Sequence, residues 1–178
     1  MLQPMTTTRL ILRKPALSDA QDFFDMLSDA ETCRADGGYP PYTAMDERVV
    51  RDLQSIVADS ADRLFIEEKA SGRMIGLLHV MPGSSPRQAE IGFVVSCGAR
   101  RRGYACEAIR AMIRQLAASG DCDSVYATCY VFNEASAALL GKLGFQETGF
   151  LSNETSPEFS RRCFVLPLSR LPRGDDGL

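Results

Sequence analysis

The sequence is poor in metal ligands. Its 178 residues include one histidine, His79, and six scattered cysteines, none of them spaced as a C-x-x-C pair. A zinc site needs three or four such ligands, and His79 has no partners in the sequence that would complete one. We therefore expect no metal, reduced and mostly buried cysteines, and a structural role for His79, which lies in a predicted strand. Nothing in the spacing supports a Ser–His or Cys–His nucleophile pair.

Long apolar runs and an excess of positive charge are missing as well. No apolar run approaches the roughly 20 residues that span a bilayer, and residues 1–8 lack the charged-then-apolar pattern of a signal peptide. We therefore expect a cytoplasmic protein without a membrane partner. The formal net charge of -3 argues against nucleic acid as a partner, since broad nucleic-acid binding usually requires a basic surplus.

The chain also lacks internal repeats, low-complexity segments and an interdomain linker. Its length suits one domain, and its composition of 45% hydrophobic and 24% charged residues is that of an ordinary globular protein. We predict a single domain over residues 1–168. Residues 169–178, which contain proline, glycine and two aspartates, are predicted to form a loose tail.

The remaining sequence alternates between strand and helix patterns. Runs rich in β-branched and aromatic residues predict strands at residues 9–13, 64–68, 74–80, 91–95, 125–131, 145–151 and 159–166. Apolar residues at steps of three and four predict helices after the N-caps Ser18 and Thr43, after Gly103, and after Asn133. Because a helix connects residues 91–95 to residues 125–131, these two strands should be parallel neighbours in a mixed α/β domain.

The most informative stretch is the turn between the strand at 91–95 and the following helix. Arg100, Arg101 and Arg102 precede Gly103 at the point where the first amides of a helix have no internal partner. Free N–H donors, the positive end of the helix dipole and guanidinium groups together favour an anion. Gly103 also lets the backbone approach a ligand closely. The turn predicts a phosphate-bearing ligand; the alternative is a solvated basic turn.

Four motifs along the chain resemble those of the GNAT (GCN5-related N-acetyltransferase) superfamily, in the right order and spacing. The run Arg-Arg-Arg-Gly-Tyr-Ala at 100–105 is similar to its R/Q-x-x-G-x-G/A pattern. The Glu-Ala pair at 107–108, the N-x-x-S run at 133–136 with K-x-G-F at 142–145, and the opening strand at 8–13 resemble the RimJ/RimL-like branch. The resemblance implies a mixed, mostly antiparallel sheet of about six to seven strands with a central parallel pair, flanked by about four helices.

The resemblance implies acetyl-CoA as co-substrate and no metal. The pyrophosphate would sit on the amides of residues 101–105, and the pantetheine would lie along the edge of residues 93–95. Asn133 would contact the pantetheine arm and Ser136 the thioester end, while Lys142 is either a cofactor contact or a solvated helix residue. The residues so assigned to the cofactor are Phe93, Val94, Val95, Arg100, Arg101, Arg102, Gly103, Tyr104, Ala105, Asn133, Ser136 and Lys142.

The implied reaction is direct attack of a neutral amine on the thioester carbonyl. The resemblance assigns the oxyanion donor to a backbone N–H near Val94 or Val95. Many relatives supply the departing thiolate's proton from a tyrosine seven residues after the motif asparagine, but this chain has Leu140 there. In the family pattern Ser136 is the residue that could replace this tyrosine as a hydrogen-bond donor to the thiolate. The alternative is that Ser136 only contacts the pantetheine. Two carboxylates are candidates for the base, and either could instead be only solvated: Glu90 and Glu154.

The function implied is N-acetylation of a protein N-terminus or of a small-molecule amine, including an antibiotic or a polyamine. An α-amine with a pKa near 8 is roughly a tenth neutral at pH 7, whereas a lysine amine with a pKa of about 10.4 is far below one percent neutral. A site without an obvious strong base therefore favours α-amines. Because Leu140 replaces the tyrosine, the alternative is a catalytically weak, CoA-binding regulatory module. A homodimer is left open.

Overall fold

A computed structural model describes residues 2–170 of the chain. Eight strands are found among these residues: β1 (Met5–Thr6), β2 (Leu10–Arg13), β3 (Arg63–Glu68), β4 (Met74–Pro82), β5 (Gln88–Val95), β6 (Ser124–Tyr130), β7 (Gln146–Leu151) and β8 (Arg161–Pro167). Five α-helices accompany them: α1 (Ala20–Leu27), α2 (Ala30–Asp36), α3 (Glu47–Ala58), α4 (Tyr104–Ser119) and α5 (Glu134–Lys142). The predicted loose tail lies outside the described residues, apart from positions 169 and 170 in a final 3-10 turn.

The strands form one mixed sheet in the order β1-β2-β3-β4-β5-β6-β8-β7. Strands β5 and β6 are parallel, with Gln88 opposite Ser124 and Ile91 opposite Ala127, whereas β1–β2, β2–β3, β3–β4, β6–β8 and β7–β8 pair antiparallel. The predicted fold class and its parallel pair are confirmed. The eighth strand is β1, whose two residues are too short to show a strand pattern in the sequence.

Two compact units divide the chain. The N-terminal unit comprises Met1–Val80 and Phe93–Ala111, and the C-terminal unit comprises Met81–Gly92 and Met112–Leu178. In the N-terminal unit the core joins the apolar faces of α1 and α3 to β3 and β4, with the rings of Phe23 and Phe65 stacked at a centroid distance of 6.3 Å. Burying each such side chain contributes about 1.5–3 kcal/mol.

The core of the C-terminal unit follows the two-residue period of its strands. Alternate residues of β6 are buried, as are apolar side chains of β8 and α5. Leu140 of α5 is 0% exposed. The position at which the resemblance led us to look for a tyrosine is therefore filled here by an aliphatic core side chain.

The helix starts predicted in the first third of the chain were wrong. The helical region after Ser18 is two helices: α1 follows a 3-10 turn and is N-capped by Asp19, and α2 is N-capped by Asp29, whose side chain accepts from the Thr32 N–H. Helix α3 starts after Asp46 rather than after Thr43. At all three starts the N-cap is an aspartate, which follows the predicted hydroxyl by one residue at α1 and by three at α3, and aspartate is as good an N-cap as serine. No helix among residues 2–170 has the length and apolar character needed to cross a membrane.

Candidate functional site

The turn before α4 presents a row of free backbone donors. The Arg100 N–H still bonds to the Cys97 carbonyl at 3.3 Å, and the Glu107 N–H bonds to the Gly103 carbonyl at 3.1 Å. Between them, the Arg102 N–H closes the turn over residues 100–101, whereas no hydrogen bond within the described chain is found for the N–H groups of residue 101 and of residues 103–106. We call these donors the amide cradle. Five unpaired amides, four of them consecutive at a helix N-terminus, favour an anionic ligand.

The backbone of the amide cradle alternates between ordinary and left-handed conformations. Arg101 has a φ of 60° and Gly103 a φ of 81°. Alternation of this kind turns successive N–H groups toward one point and forms an anion-binding concavity. A left-handed arginine costs about 1–2 kcal/mol, and such strain persists mainly where function maintains it. The exposed side chain of Arg101 forms no ion pair within residues 2–170.

Arg100 directs its guanidinium group away from the amide cradle toward the start of α2. Its Nη2 donates to Thr32 Oγ1 at 2.5 Å and lies 3.5 Å from the Asp29 carboxylate, while Nη1 lies 3.1 Å from the Glu31 carboxylate. Its Nε donates to the Val95 carbonyl at 3.3 Å. Arg100 therefore links the end of β5 to the α2 N-terminus, and the three consecutive arginines have different surroundings.

Tyr104, the first residue of α4, is held by a buried acid that the sequence analysis missed. Its hydroxyl donates to Glu68, which is 8% exposed and also accepts from Ser71 Oγ at 2.7 Å and pairs with Arg102 at 3.1 Å. The guanidinium carbons of Arg9 and Arg102 lie 4.6 and 4.9 Å from the Tyr104 ring centroid, within cation–π range. The Tyr104 hydrogen bond is the main cause that lowers the pKa of Glu68.

Glu107 connects the first turn of α4 to the turn between β1 and β2. Its carboxylate accepts from Thr7 Oγ1 at 2.6 Å, from the Arg9 N–H at 2.8 Å and from Arg9 Nε at 2.7 Å. Arg9 Nη1 also donates to the Arg102 carbonyl at 2.9 Å. The two motifs that the sequence analysis found separately, at 8–13 and at 100–108, are thus in direct contact beneath the amide cradle.

These two carboxylates predict how stability depends on pH. Burial alone would raise the pKa of Glu107, but hydrogen bonds from Thr7 and Arg9 outweigh it, and the pKa values of Glu68 and Glu107 both lie below their ordinary 4.5. Above pH 4.5 the two ionised carboxylates make their full contribution to the free energy of unfolding. This contribution is lost as the pH falls through their lower pKa values in the folded state. Urea unfolding at pH 7, 4.5 and 3.5 should show that the free energy of unfolding falls as the pH is lowered. The fall should be smaller in Glu107→Gln than in the wild type, and an equal fall in both proteins would contradict this prediction.

The end of β5 lies close against β4 in the N-terminal unit. Gly76 of β4 has no room for a side chain, because a Cβ there would lie 2.5 Å from the Val94 carbonyl oxygen. The Ser96 N–H donates to the Ile75 carbonyl at 2.9 Å just beyond the strand. Val94 and Val95 are buried and Phe93 is half-buried. The residues predicted to border the pantetheine and to supply the oxyanion donor therefore continue directly into the amide cradle.

The other predicted cofactor residues lie in the C-terminal unit, on α5. Asn133 is its N-cap, and its Oδ1 accepts from the Ser136 N–H at 3.0 Å. Ser136 is half-buried, and it lowers the pKa of the nearby Cys129 thiol, although burial, the main influence, raises that pKa. Lys142 is exposed in the last turn and pairs with no other described residue. Asn133 and Ser136 thus share one helix turn, while Lys142 lies at the opposite end.

The two predicted bases also lie in the C-terminal unit. Glu90 is half-buried on β5, opposite Tyr126 of β6, and its charge adds to the burial that raises the pKa of Tyr126. Glu154 is exposed in the connection between β7 and β8. Within residues 2–170, no group of three or more His, Cys, Asp or Glu side chains is placed to hold a metal ion.

Comparison with known proteins agrees with this geometry. A family model described as an acetyltransferase (GNAT) domain matches residues 9–146. The uncharacterized N-acetyltransferase YoaA of Bacillus subtilis (strain 168) is 30% identical over 155 residues, which cover 83% of this chain and 85% of the relative.

Two solved structures share the fold. An acetyltransferase of the GNAT family from Bacillus anthracis has a TM-score of 0.80 at 17% identity, covering 94% of this chain and 100% of that one. Spermidine N-acetyltransferase from Vibrio cholerae, in complex with CoA and spermine, has a TM-score of 0.74 at 20% identity, covering 92% of this chain and 98% of that one. With the family model matched over most of its length, this chain belongs to the GNAT acetyltransferase family.

Proposed function

We propose that this protein is a cytoplasmic, acetyl-CoA-dependent N-acetyltransferase of the RimJ/RimL-like branch, with one domain over residues 1–168. It moves an acetyl group from the thioester directly to a primary amine. The observation that carries the proposal is the amide cradle, with five unpaired donors among residues 101–106. Family membership and the CoA-bound spermidine acetyltransferase from Vibrio cholerae support the choice of cofactor.

The charges around the amide cradle favour a pyrophosphate. Arg9 and Arg102 are each paired with a carboxylate, Glu107 and Glu68, so their positive charge is largely balanced. Arg101 has no such partner within the described chain and leaves a net cation beside the free amides. In this proposal the amides hold the pyrophosphate and Arg101 adds electrostatic attraction. Arg100 positions the turn through α2 rather than touching the phosphates.

The chemistry in this proposal depends mainly on backbone groups. A backbone N–H near Val94 or Val95 stabilises the oxyanion, and an amide donor needs no particular side chain. Asn133 and Ser136 contact the pantetheine arm and the thioester end, as the family pattern assigns them. Because Leu140 is a buried aliphatic residue, Ser136 is the side chain left to donate a hydrogen bond to the thiolate.

The favoured acceptor is the α-amine of a peptide or protein N-terminus. Such an amine, with a pKa near 8, offers about a tenth of its population as the neutral nucleophile at pH 7. A polyamine is the second candidate, since a structural neighbour is a spermidine N-acetyltransferase.

The direct test combines cofactor binding with acetyl transfer. Calorimetric titration with acetyl-CoA should show binding in the micromolar range, and CoA thiol release should follow addition of a peptide that begins with alanine. The same peptide with a blocked N-terminus and an internal lysine is the matched control, and spermidine is the second acceptor. Binding without transfer to any of the three would favour the regulatory module, and absence of binding would overturn the assignment of the amide cradle.

Ser136→Ala is expected to lower kcat by about tenfold while the dissociation constant of acetyl-CoA changes little. A hydrogen bond to a developing charge contributes about 1.5–3 kcal/mol, whereas the N-cap contact of Asn133 uses the backbone of residue 136 and survives the substitution. Steady-state kinetics and calorimetry measure the two effects. Ser152→Ala, at an exposed serine, is the control. A loss confined to cofactor affinity would leave Ser136 as a contact only.

A further inference from the structure

Arg100 has a set of partners that an arginine reserved for a phosphate group would not need. Its Nη2 donates to Thr32 Oγ1 at 2.5 Å, its Nη1 lies 3.1 Å from the Glu31 carboxylate, and its Nε donates to the Val95 carbonyl at 3.3 Å. The Asp29 carboxylate lies 3.5 Å from Nη2 as well. Two carboxylates balance the charge of this guanidinium group, and each of its nitrogens already has a partner in the fold. Little attraction is left for a phosphate.

The first turn of α2, which receives Arg100, is itself held firmly. Thr32 is 0% exposed, its hydroxyl donates to the Asp29 carboxylate at 2.5 Å, and the same carboxylate accepts from the Thr32 N–H at 2.8 Å. The next residue, Cys33, is buried in the same core as Val94 of β5. The buried hydroxyl thus accepts from Arg100 and donates to Asp29, so that its hydrogen bonds are complete and define one position for the turn.

At its other end, the Arg100 side chain holds the last peptide group of β5. The Val95 carbonyl accepts from Arg100 Nε, and the N–H of the same peptide group, which belongs to Ser96, donates to the Ile75 carbonyl at 2.9 Å. The backbone N–H of Arg100 donates to the Cys97 carbonyl at 3.3 Å and closes the short turn between them. The backbone and the side chain of one residue therefore fix the segment that joins the end of β5 to the amide cradle.

We propose that Arg100 is a positioning residue, which keeps the end of β5 at a fixed separation from the amide cradle by tying it to α2. This inference rests on the proposed function, in which the amide cradle binds the pyrophosphate and a backbone N–H near Val94 or Val95 stabilises the oxyanion. One cofactor molecule spans both places, so the N–H meets the oxyanion only when this separation is correct. A displacement of about 1 Å costs up to about a hundredfold in rate, while the phosphates remain bound.

The competing role for Arg100 is the direct phosphate contact that the sequence analysis expected. The two roles predict different behaviour of Arg100→Lys. Lysine retains the positive charge, so it would preserve much of a phosphate contact. It does not reproduce the planar guanidinium fork that reaches Thr32 and Val95 together, so it would lose a positioning contact. If Arg100 is a positioning residue, Arg100→Lys should therefore be as impaired as Arg100→Gln.

The test separates acetyl transfer from cofactor affinity. Single-turnover transfer to the alanine peptide should be about tenfold slower in Arg100→Gln and Arg100→Lys, while calorimetry finds a dissociation constant of acetyl-CoA within about threefold of the wild type. Arg101→Gln removes the unpaired cation and should do the reverse, with affinity about fivefold weaker and unchanged transfer at saturating acetyl-CoA. Arg114→Gln, at an exposed arginine of α4, is the control. Weaker binding with unchanged transfer in Arg100→Gln, restored by lysine, would overturn the inference.

A double-mutant cycle with Thr32 gives a second readout. Thr32→Val removes the hydroxyl that accepts from Arg100 and should slow single-turnover transfer by a similar factor. In the Arg100→Gln background it should add little, because both substitutions break the same contact. Thermal unfolding checks that each variant is folded. Effects that multiply in the double variant would show that the two residues act separately and would overturn the inference.

Hydrogen exchange measures the end of β5 directly and needs no acceptor. The Ser96 amide, which bonds to the Ile75 carbonyl, should exchange faster in Arg100→Gln and Arg100→Lys than in the wild type, because the carbonyl of its peptide group is no longer held. Unchanged Ser96 exchange in both variants would overturn the inference. A wild-type protein that binds acetyl-CoA but acetylates none of the acceptors would instead contradict the proposed function itself.

Discussion

Gly103→Val is expected to weaken acetyl-CoA binding by about a hundredfold while the protein stays folded. Gly103 has a φ of 81°, and a branched side chain in the left-handed region is strained by about 1–2 kcal/mol or more. A Cβ there would also lie 3.3 Å from Arg9 Nη2, in the contact that holds the turn. The backbone relieves the strain by rotating, and rotation turns the amide donors away from the pyrophosphate. A hundredfold loss corresponds to about 2.8 kcal/mol.

The control for this substitution is the neighbouring Gly98. A Cβ at Gly98 meets nothing within 4 Å, and its φ is not in the left-handed region, so Gly98→Val changes side-chain bulk beside the same turn without backbone strain. Calorimetry measures acetyl-CoA affinity for both variants, and thermal unfolding checks that each is folded. Unchanged affinity in folded Gly103→Val would move the anion site away from the amide cradle.

Glu107→Ala is expected to lower the free energy of unfolding by about 2–3 kcal/mol. The substitution leaves the Thr7 hydroxyl, the Arg9 N–H and the Arg9 guanidinium without their shared acceptor. Donors that lose a partner in a partly buried site cost about 1–3 kcal/mol, more for a charged group. Because Arg9 also holds the Arg102 carbonyl, the start of α4 loosens as well. Acetyl-CoA affinity should therefore fall too, though less than in Gly103→Val.

Urea unfolding at pH 7 measures the effect of Glu107→Ala. Glu158→Ala removes the same side chain from an exposed 3-10 turn and should change stability by less than about 0.5 kcal/mol. Equal stability of the two variants would show that the contacts of Glu107 contribute little in solution.

Much of the architecture could be predicted because it depends on neighbours in the chain. The β-branched run at 91–95, the helix period after Gly103 and the return to 125–131 require a parallel pair, which β5 and β6 form. The helix starts near Ser18 and Thr43 were mispredicted because hydroxyl and carboxylate caps compete. Only the packed fold, in which Asp19 also binds Arg13 at 2.6 Å, decides between them.

Three of the predicted cofactor residues show, within one turn, that the partners of a side chain cannot be predicted from its neighbours in the sequence. Arg100, Arg101 and Arg102 are adjacent and chemically identical, so the sequence assigned them together to an anion. Arg100 bonds to Thr32 of α2, and Arg102 pairs with Glu68 of β3, while Arg101 stays outside such contacts among the described residues. Their different surroundings come from segments more than thirty residues away.

By itself, the sequence determined the strand-turn-helix unit and the row of unpaired amides before α4, because a helix start leaves its first N–H groups free whatever surrounds it. Tertiary structure alone decided which side chains support that row. Glu107 meets Arg9 across 98 positions, and Tyr104 meets Glu68 across 36. The physical reason is distance along the chain: local patterns encode backbone geometry, whereas hydrogen bonds, burial and pKa values depend on partners that only folding brings together.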